Sequence, residues 1–124
     1  MSKKGVMEIS SPIDKKPNQY DVLSEIVEYI VNKVDPKMII LFGSCARGMA
    51  TSQSDIDLCV VVEGKADIKK RVEIRSQLLM DLLDITEFEV DLLICSLEDW
   101  EKKHMDQGTF IGKVYKEGKL IYGR

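Results

Sequence analysis

The chain has 124 residues, 44% of them hydrophobic and 31% charged, with a formal net charge of −3. That length suits one domain with a real core and little beside it, and the composition excludes disorder as a description of the whole chain. The slightly acidic balance gives no global basic field of the kind that gathers nucleic acid. No apolar run approaches a membrane span and nothing near the N-terminus resembles a secretion signal, so a cytoplasmic protein is expected.

Residues 1–17, with two prolines and several lysines, lack periodicity and are expected to form a flexible tail ahead of a single domain over residues 18–124. From Tyr20 to Val34 the apolar residues Val22, Leu23, Ile26, Val27, Ile30, Val31 and Val34 recur at three- and four-residue steps. This is an amphipathic helix, closed by Asp35-Pro36. Met38 to Phe42 is wholly apolar and reads as a strand buried on both faces. Gly43 to Ala50 is a turn opening a short helix, and Thr51 to Ser54 is a polar loop.

Asp55 to Glu63, rich in valine, is the second strand. Lys65 to Leu83 is the longest helical pattern, with Ile68, Val72, Ile74, Leu78, Leu79, Leu82 and Leu83 as its expected core stripe. Phe88 to Cys95 is the third strand. Ser96 is placed to cap the next helix, which carries Leu97 and Trp100 and has Glu98 and Asp99 in its favourable first turn. Gly108 breaks that pattern. A further helix with Phe110, Ile111, Val114 and Tyr115 ends at Gly118, and Leu120 to Tyr122 is a last edge strand. This order implies a small α/β sheet with helices packed against it.

Cys45, Cys59 and Cys95 have no metal-type spacing and read as buried free thiols. Trp100 is expected in the core, Met7, Met38, Met49, Met80 and Met105 in core or gap-filling positions, and His104 at the surface. Lys69, Lys70, Arg71 and Arg75 are read as a solvated helix face rather than a binding patch. Glu87 and Glu89 are expected to solvate a strand end.

The chemistry is concentrated in residues 41 to 61, LFGSCARGMATSQSDIDLCVV. Successive side chains of a strand point to opposite faces, so Asp55 and Asp57 share one face while Ile56 and Leu58 take the other. In the third strand Asp91 lies on one face with Glu87, Glu89 and Leu93. If these strands are neighbours, Asp91 approaches the pair. Three converging carboxylates call for a divalent cation, and oxygen-only ligands favour Mg²⁺ or Mn²⁺ over zinc. Two such ions make a site suited to in-line phosphoryl or nucleotidyl displacement.

The Gly43-Ser44 turn adds the other half. A glycine after a strand and before a helix start exposes backbone N–H groups that can hold phosphate. Ser44 adds a hydroxyl and Arg47 a positive charge at the same mouth. Taken singly each piece has an ordinary reading: a common Gly-Ser turn, an Asp55 that caps a turn, an Asp91 exposed on an edge strand. Asp57 is harder to explain away, because Ile56, Leu58, Cys59 and Val60 hold it inside a strand. Together they describe a site for a nucleoside triphosphate.

Gly43-Ser44-x-Ala46-Arg47-Gly48, then Ser54-Asp55-Ile56-Asp57-Leu58, then Val90-Asp91, resembles the DNA polymerase β-like nucleotidyltransferase superfamily. More narrowly the chain is similar to the minimal nucleotidyltransferases, single-domain antitoxin partners of helical HEPN-type toxins, over roughly residues 20–122, including the ending Glu117-Gly118-Lys119-Leu120-Ile121-Tyr122. The resemblance implies an α/β (α+β) fold, a small mixed β-sheet with helices packed on it, and a polymerase β-like nucleotidyltransferase core. It implies that Gly43 and Ser44 contact the β- and γ-phosphates, that Arg47 steadies either the motif helix or the triphosphate, and that Asp55, Asp57 and Asp91 are the catalytic, metal-binding residues. Asp55 and Asp57 would bind both Mg²⁺ ions (Mn²⁺ is the alternative), and Asp91 would favour deprotonation of the attacking hydroxyl. Cys45 fills a variable motif position.

The resemblance further implies transfer of a nucleoside monophosphate from an NTP, ATP first, to a hydroxyl with release of pyrophosphate. The acceptor implied is a tyrosine of a HEPN-type toxin. Larger relatives carry an added domain for base and acceptor, so a partner is expected to complete acceptor binding here; a homodimer is left open, and nucleic acid is not expected as a partner. The rival reading is a non-catalytic antitoxin that neutralises its partner by covering it. Intact carboxylates argue against it, since a pure binding protein gains nothing from a repulsive cluster. Transfer to a small molecule or to RNA is disfavoured by the lack of an acceptor domain and of a basic surface.

Overall fold

The computed structural model describes residues 18–65 and 67–124; the expected tail over residues 1–17 lies outside the described residues. Helix α1 (Gln19–Val34) begins at Asn18, whose side-chain oxygen accepts from the N–H groups of Tyr20 and Asp21 while Asp21 accepts in return from the Asn18 N–H. This capping box satisfies donors that a helix start otherwise leaves open. The helix ends at Asp35, in the left-handed region at φ 48°, and buried Pro36 bars its continuation.

Strand β1 (Met38–Phe42) leads through a one-turn helix α2 (Gly43–Ala46) to strand β2 (Ile56–Val62). Helix α3 (Ile68–Leu82), capped by the Asp67 carboxylate on Lys70 N–H, returns to strand β3 (Val90–Ser96). Helices α4 (Leu97–Lys103) and α5 (Phe110–Glu117) follow, capped by Ser96 and Thr109, and strand β4 (Lys119–Gly123) closes the chain. The expected capping role of Ser96 is therefore present, its hydroxyl accepting from Asp99 N–H at 3.1 Å.

The four strands form one mixed sheet in the order β3-β2-β1-β4. β1 is antiparallel to both β2 and β4, and β2 is parallel to β3. Alternation along the strands divides the core in two. Ile39, Leu41, Ile56, Leu58, Val60, Leu92 and Ile94 pack with Ile26 and Ile30 of α1 and Leu78 and Leu82 of α3. On the other face Ile40, Cys59, Val61 and Cys95 pack with Trp100 of α4 and Val114 of α5. The sheet is thus covered on both faces, as the apolar run of β1 implies. The three cysteines are free and buried, and no described helix is long and apolar enough to cross a membrane.

The periodicity of α3 misleads at one end. Ile68 (71%), Val72 (58%) and Leu83 (73%) are exposed, and the core stripe narrows to Leu78 and Leu82, with Ile74 and Leu79 packed beside them. α3 packs chiefly along β3, at the edge of the sheet, and its first turns leave Ile68 and Val72 outside the core. Met49, Met80 and Met105 are exposed rather than gap-filling, Met38 is packed against the core, and Met7 lies outside the described residues. His104, expected at the surface, is half-buried, stacked on Trp100 and edge-on to Tyr115, with Nδ1 2.8 Å from Trp100 O. Glu87 and Glu89 are exposed, as expected.

Truncation should report this asymmetry. Leu78→Ala is expected to cost about 2–5 kcal/mol, the range for a buried leucine, whereas Ile68→Ala should stay within about 0.5 kcal/mol. Urea unfolding of the two variants measures both.

Candidate active site

The parallel register of β2 and β3 sets Asp57 directly beside Asp91. On the other side, the antiparallel register places Phe42 opposite Asp57, so the chain leaves β1 at Gly43 just where that carboxylate stands. Gly43 has φ +73°, and a Cβ there would overlap Asp57 Oδ2. Left-handed backbone and close approach both demand glycine. Asp57 and Asp91 lie on the face that carries Cys59 and Cys95 deeper in the sheet. Asp55 stands just ahead of β2, exposed, near enough for its charge to be felt by Asp57.

Burial pushes the Asp57 carboxyl above the usual carboxylate range, the charges of Asp91 and Asp55 push it further, and the Arg47 guanidinium opposes them. A carboxylate so placed is relieved by positive charge. The three carboxylates line one rim. As they stand, no three His, Cys, Asp or Glu side chains among the described residues converge closely enough to enclose a metal ion. Asp91 is instead held by Arg75, whose terminal nitrogen lies 3.1 Å from Asp91 Oδ1 and whose Nε donates to Leu92 O at 2.8 Å. Arg75 is exposed, as are Lys69 and Lys70, in keeping with a solvated helix face, but these contacts tie it to β3; Arg71 is half-buried.

Across the rim, α2 differs from its neighbours. The other four described helices are capped by side chains of Asn18, Asp67, Ser96 and Thr109, but Phe42 gives α2 no side-chain cap. Its first N–H groups keep their capacity for an acceptor from outside the chain. Ser44 is half-buried in this turn. Arg47, the last residue of the turn, lies 3.8 Å from Glu117 Oε1. That contact joins the motif turn to the end of α5, and the guanidinium also contributes to the field at Asp57.

Sequence reasoning missed the residues that hold these two halves together. Gln19, 2% exposed, donates its Nε2 to Thr51 O at 2.7 Å and to Ser54 O at 2.9 Å. Tyr20 donates its hydroxyl to Cys45 O at 2.8 Å. Cys45, without a role in the sequence reading, is buried and donates its thiol to Asp55 O at 3.4 Å. Burial raises the Cys45 thiol, and the Asp57 and Asp55 charges raise it further, so it stays protonated as a donor. The N-terminus of α1 thus clamps both the α2 turn and the loop that delivers Asp55. No local sequence signal marks Gln19, because its partners are backbone carbonyls more than thirty residues away.

Substitutions should expose both the clamp and the charge cluster. Gln19→Ala should cost about 1–3 kcal/mol by stranding two carbonyls, and the amides of residues 51–54 should exchange faster in hydrogen-exchange measurements. Asp57→Asn should stabilise the protein. A carboxyl with a raised folded-state pKa destabilises above that value, and the penalty vanishes below the ordinary value of 3.8. The thermal midpoint of Asp57→Asn should therefore exceed the wild type at pH 7 and meet it as pH falls below that value.

Known proteins share this arrangement of strands and helices. The model of the polymerase β nucleotidyltransferase domain matches residues 24–124. A Methanocaldococcus jannaschii protein named for protein adenylyltransferase activity is 31% identical over 107 residues, covering 85% of this chain and 99% of that protein. Human terminal uridylyltransferase 4 is 31% identical over 64 residues, which is 51% of this chain but 4% of that protein. Among solved structures, a Sulfolobus solfataricus protein described as a nucleotidyltransferase superposes with a TM-score of 0.59 at 20% identity, covering 90% of this chain and 93% of that one. A toxin–antitoxin structure with AMP-PNP superposes with a TM-score of 0.52 at 24% identity, covering 81% of this chain and 73% of that one. The chain belongs to the polymerase β nucleotidyltransferase family.

Proposed function

We propose that this nucleotidyltransferase moves a nucleoside monophosphate from an NTP, ATP first, to a hydroxyl of a partner protein, and that the partner is a HEPN-type toxin silenced on a tyrosine. The observation that carries this reading is the in-register pair Asp57 and Asp91 facing the uncapped Gly43-Ser44 turn, with Asp55 at the same rim. The relative named for protein adenylyltransferase activity supports a protein acceptor. Fold likeness to a toxin–antitoxin structure with AMP-PNP supports the donor and the partner class.

The donor set fits a hard divalent cation: carboxylate oxygens alone, with the Asp57 carboxyl held above the usual carboxylate range by burial and then by its neighbours' charge. Asp55, Asp57 and Asp91 would hold Mg²⁺, with two ions as the expected number and Mn²⁺ as the alternative. When bound, such ions supply charge neutralisation for the triphosphate and the leaving pyrophosphate. The chain's own residues do the rest. Backbone N–H groups of the Gly43-Ser44 turn and the Ser44 hydroxyl hold the β- and γ-phosphates. Asp91 favours deprotonation of the acceptor hydroxyl, whose oxygen bonds to the α-phosphorus as the bond to the bridging oxygen breaks and pyrophosphate leaves. Gln19, Tyr20 and Cys45 keep the phosphate turn and Asp55 in fixed relation, which an in-line displacement requires.

The test is a transfer assay with Mg²⁺ and each of four NTPs labelled at the α-phosphate, in the presence of the co-purified partner. Label is expected on the partner's band with wild type and ATP, and is expected to vanish with the Asp55→Asn, Asp57→Asn double variant. No label with either protein, alongside equal partner binding and neutralisation by both, would establish the covering antitoxin instead.

A further inference from the structure

We propose that Arg75 is the resident counter-ion of Asp91, and that a divalent cation must displace it, so that guanidinium and cation compete for one carboxylate. The inference rests on the assignment of Asp55, Asp57 and Asp91 as cation ligands. Arg75 sits on α3, which packs along β3, an edge strand of the sheet. Its Nε donates to Leu92 O at 2.8 Å and its terminal nitrogen reaches Asp91 Oδ1 at 3.1 Å. The backbone anchor fixes the guanidinium against β3, so the bond to Asp91 is not a chance meeting of two long side chains. A lysine ammonium has no second nitrogen to hold the carbonyl while it engages the carboxylate.

Two adjacent carboxylates repel, and Arg75 gives one of them a partner. As they stand, with Asp91 bonded to Arg75, no three carboxylates among the described residues enclose a cation position. Release of Asp91 frees an oxygen for a shared cation. The exposure of the pair suits an exchangeable contact: 48% of the Arg75 side chain and 59% of the Asp91 side chain remain accessible. Exposed ion pairs are weak and readily replaced. Arg75 is a positioning residue acting through Asp91.

The test is Mn²⁺ affinity without nucleotide, read by the loss of the free-ion paramagnetic resonance signal at fixed ionic strength. Wild type, Arg75→Ala, Asp91→Asn and the double variant form a cycle, and thermal midpoints confirm that all four fold. Arg75→Ala is expected to bind Mn²⁺ roughly two- to five-fold more tightly, the range an exposed pair supplies. In the Asp91→Asn background the same change should do nothing. Arg75→Gln, which keeps a donor for Leu92 O, should behave as Arg75→Ala. Unchanged or weaker binding by Arg75→Ala overturns the proposal, as does an equal gain in the Asp91→Asn background, which would reduce Arg75 to a distant charge. Binding by Asp57→Asn as tight as wild type would overturn the ligand assignment itself, whatever Arg75→Ala does.

Discussion

Asp57 beside Asp91 is the constraint on which the rest of the structure depends. Like charges facing each other across two strands oppose the pairing, on a scale of about 0.2–1 kcal/mol for a cross-strand pair. The strand nevertheless holds, because Ile56, Leu58, Val60 and Val61 of β2 are fully buried. Each such side chain contributes roughly 1.5–3 kcal/mol on leaving water. The apolar run outweighs the repulsion several-fold, so the fold can keep a costly arrangement at the end of a strand whose remainder is secure. A cluster that lowers stability persists where it has a chemical use.

On the proposed reading, that cluster is useful only if the Gly43-Ser44 turn stays in register with it. Gly43 follows Phe42 out of β1 directly against the Asp57 carboxylate, and φ +73° with no Cβ is what lets the turn come so close. The loop from Thr51 to Ser54 then has to bring the chain back so that Asp55 meets the same rim. It is tied down by Gln19, a buried amide with two carbonyl partners, while Tyr20 fixes the α2 carbonyl at Cys45. Helix α1 therefore serves two ends at once: Ile26 and Ile30 fill the core, and its first turn holds the site.

Much of this was legible in the sequence, for identifiable reasons. β1, β2 and β3 announce themselves as apolar runs too short for helices, and Ser96, Gly43 and Gly118 mark boundaries through capping and turn chemistry. That Asp57 and Asp91 share a face was readable because period-two alternation needs only the strand assignment; Asp55, expected inside the second strand, stands just ahead of β2 instead. The depth of α3 was not. Ile68 and Val72 have the right spacing, but spacing cannot tell how far a helix overhangs the sheet beneath it. Nor could it reveal Gln19, Tyr20 or Arg75, whose partners are brought near by the tertiary fold rather than by neighbours in the chain. In the sequence Arg75 is one more charge in a basic helix face; only the place of β3 at the sheet edge gives it a carboxylate to hold.

The same register specifies fold and site together. Slipping β3 by one residue against β2 would turn Asp91 toward the face packed on α1 and α3, where Leu92 and Ile94 belong, and would expose those two in exchange. Slipping by two would keep the faces but set Asp57 against Glu89 or Leu93, and would part it from Asp91. The first error is opposed by the whole apolar core. The second is opposed by side-chain fit: Val60 against Ile94 and Val61 against Cys95 meet flanking helices of fixed position. Packing at the buried ends of β2 and β3 therefore decides where the carboxylates stand at the open ends, and a core substitution that loosens the Val60–Ile94 layer would reach the chemistry without touching it.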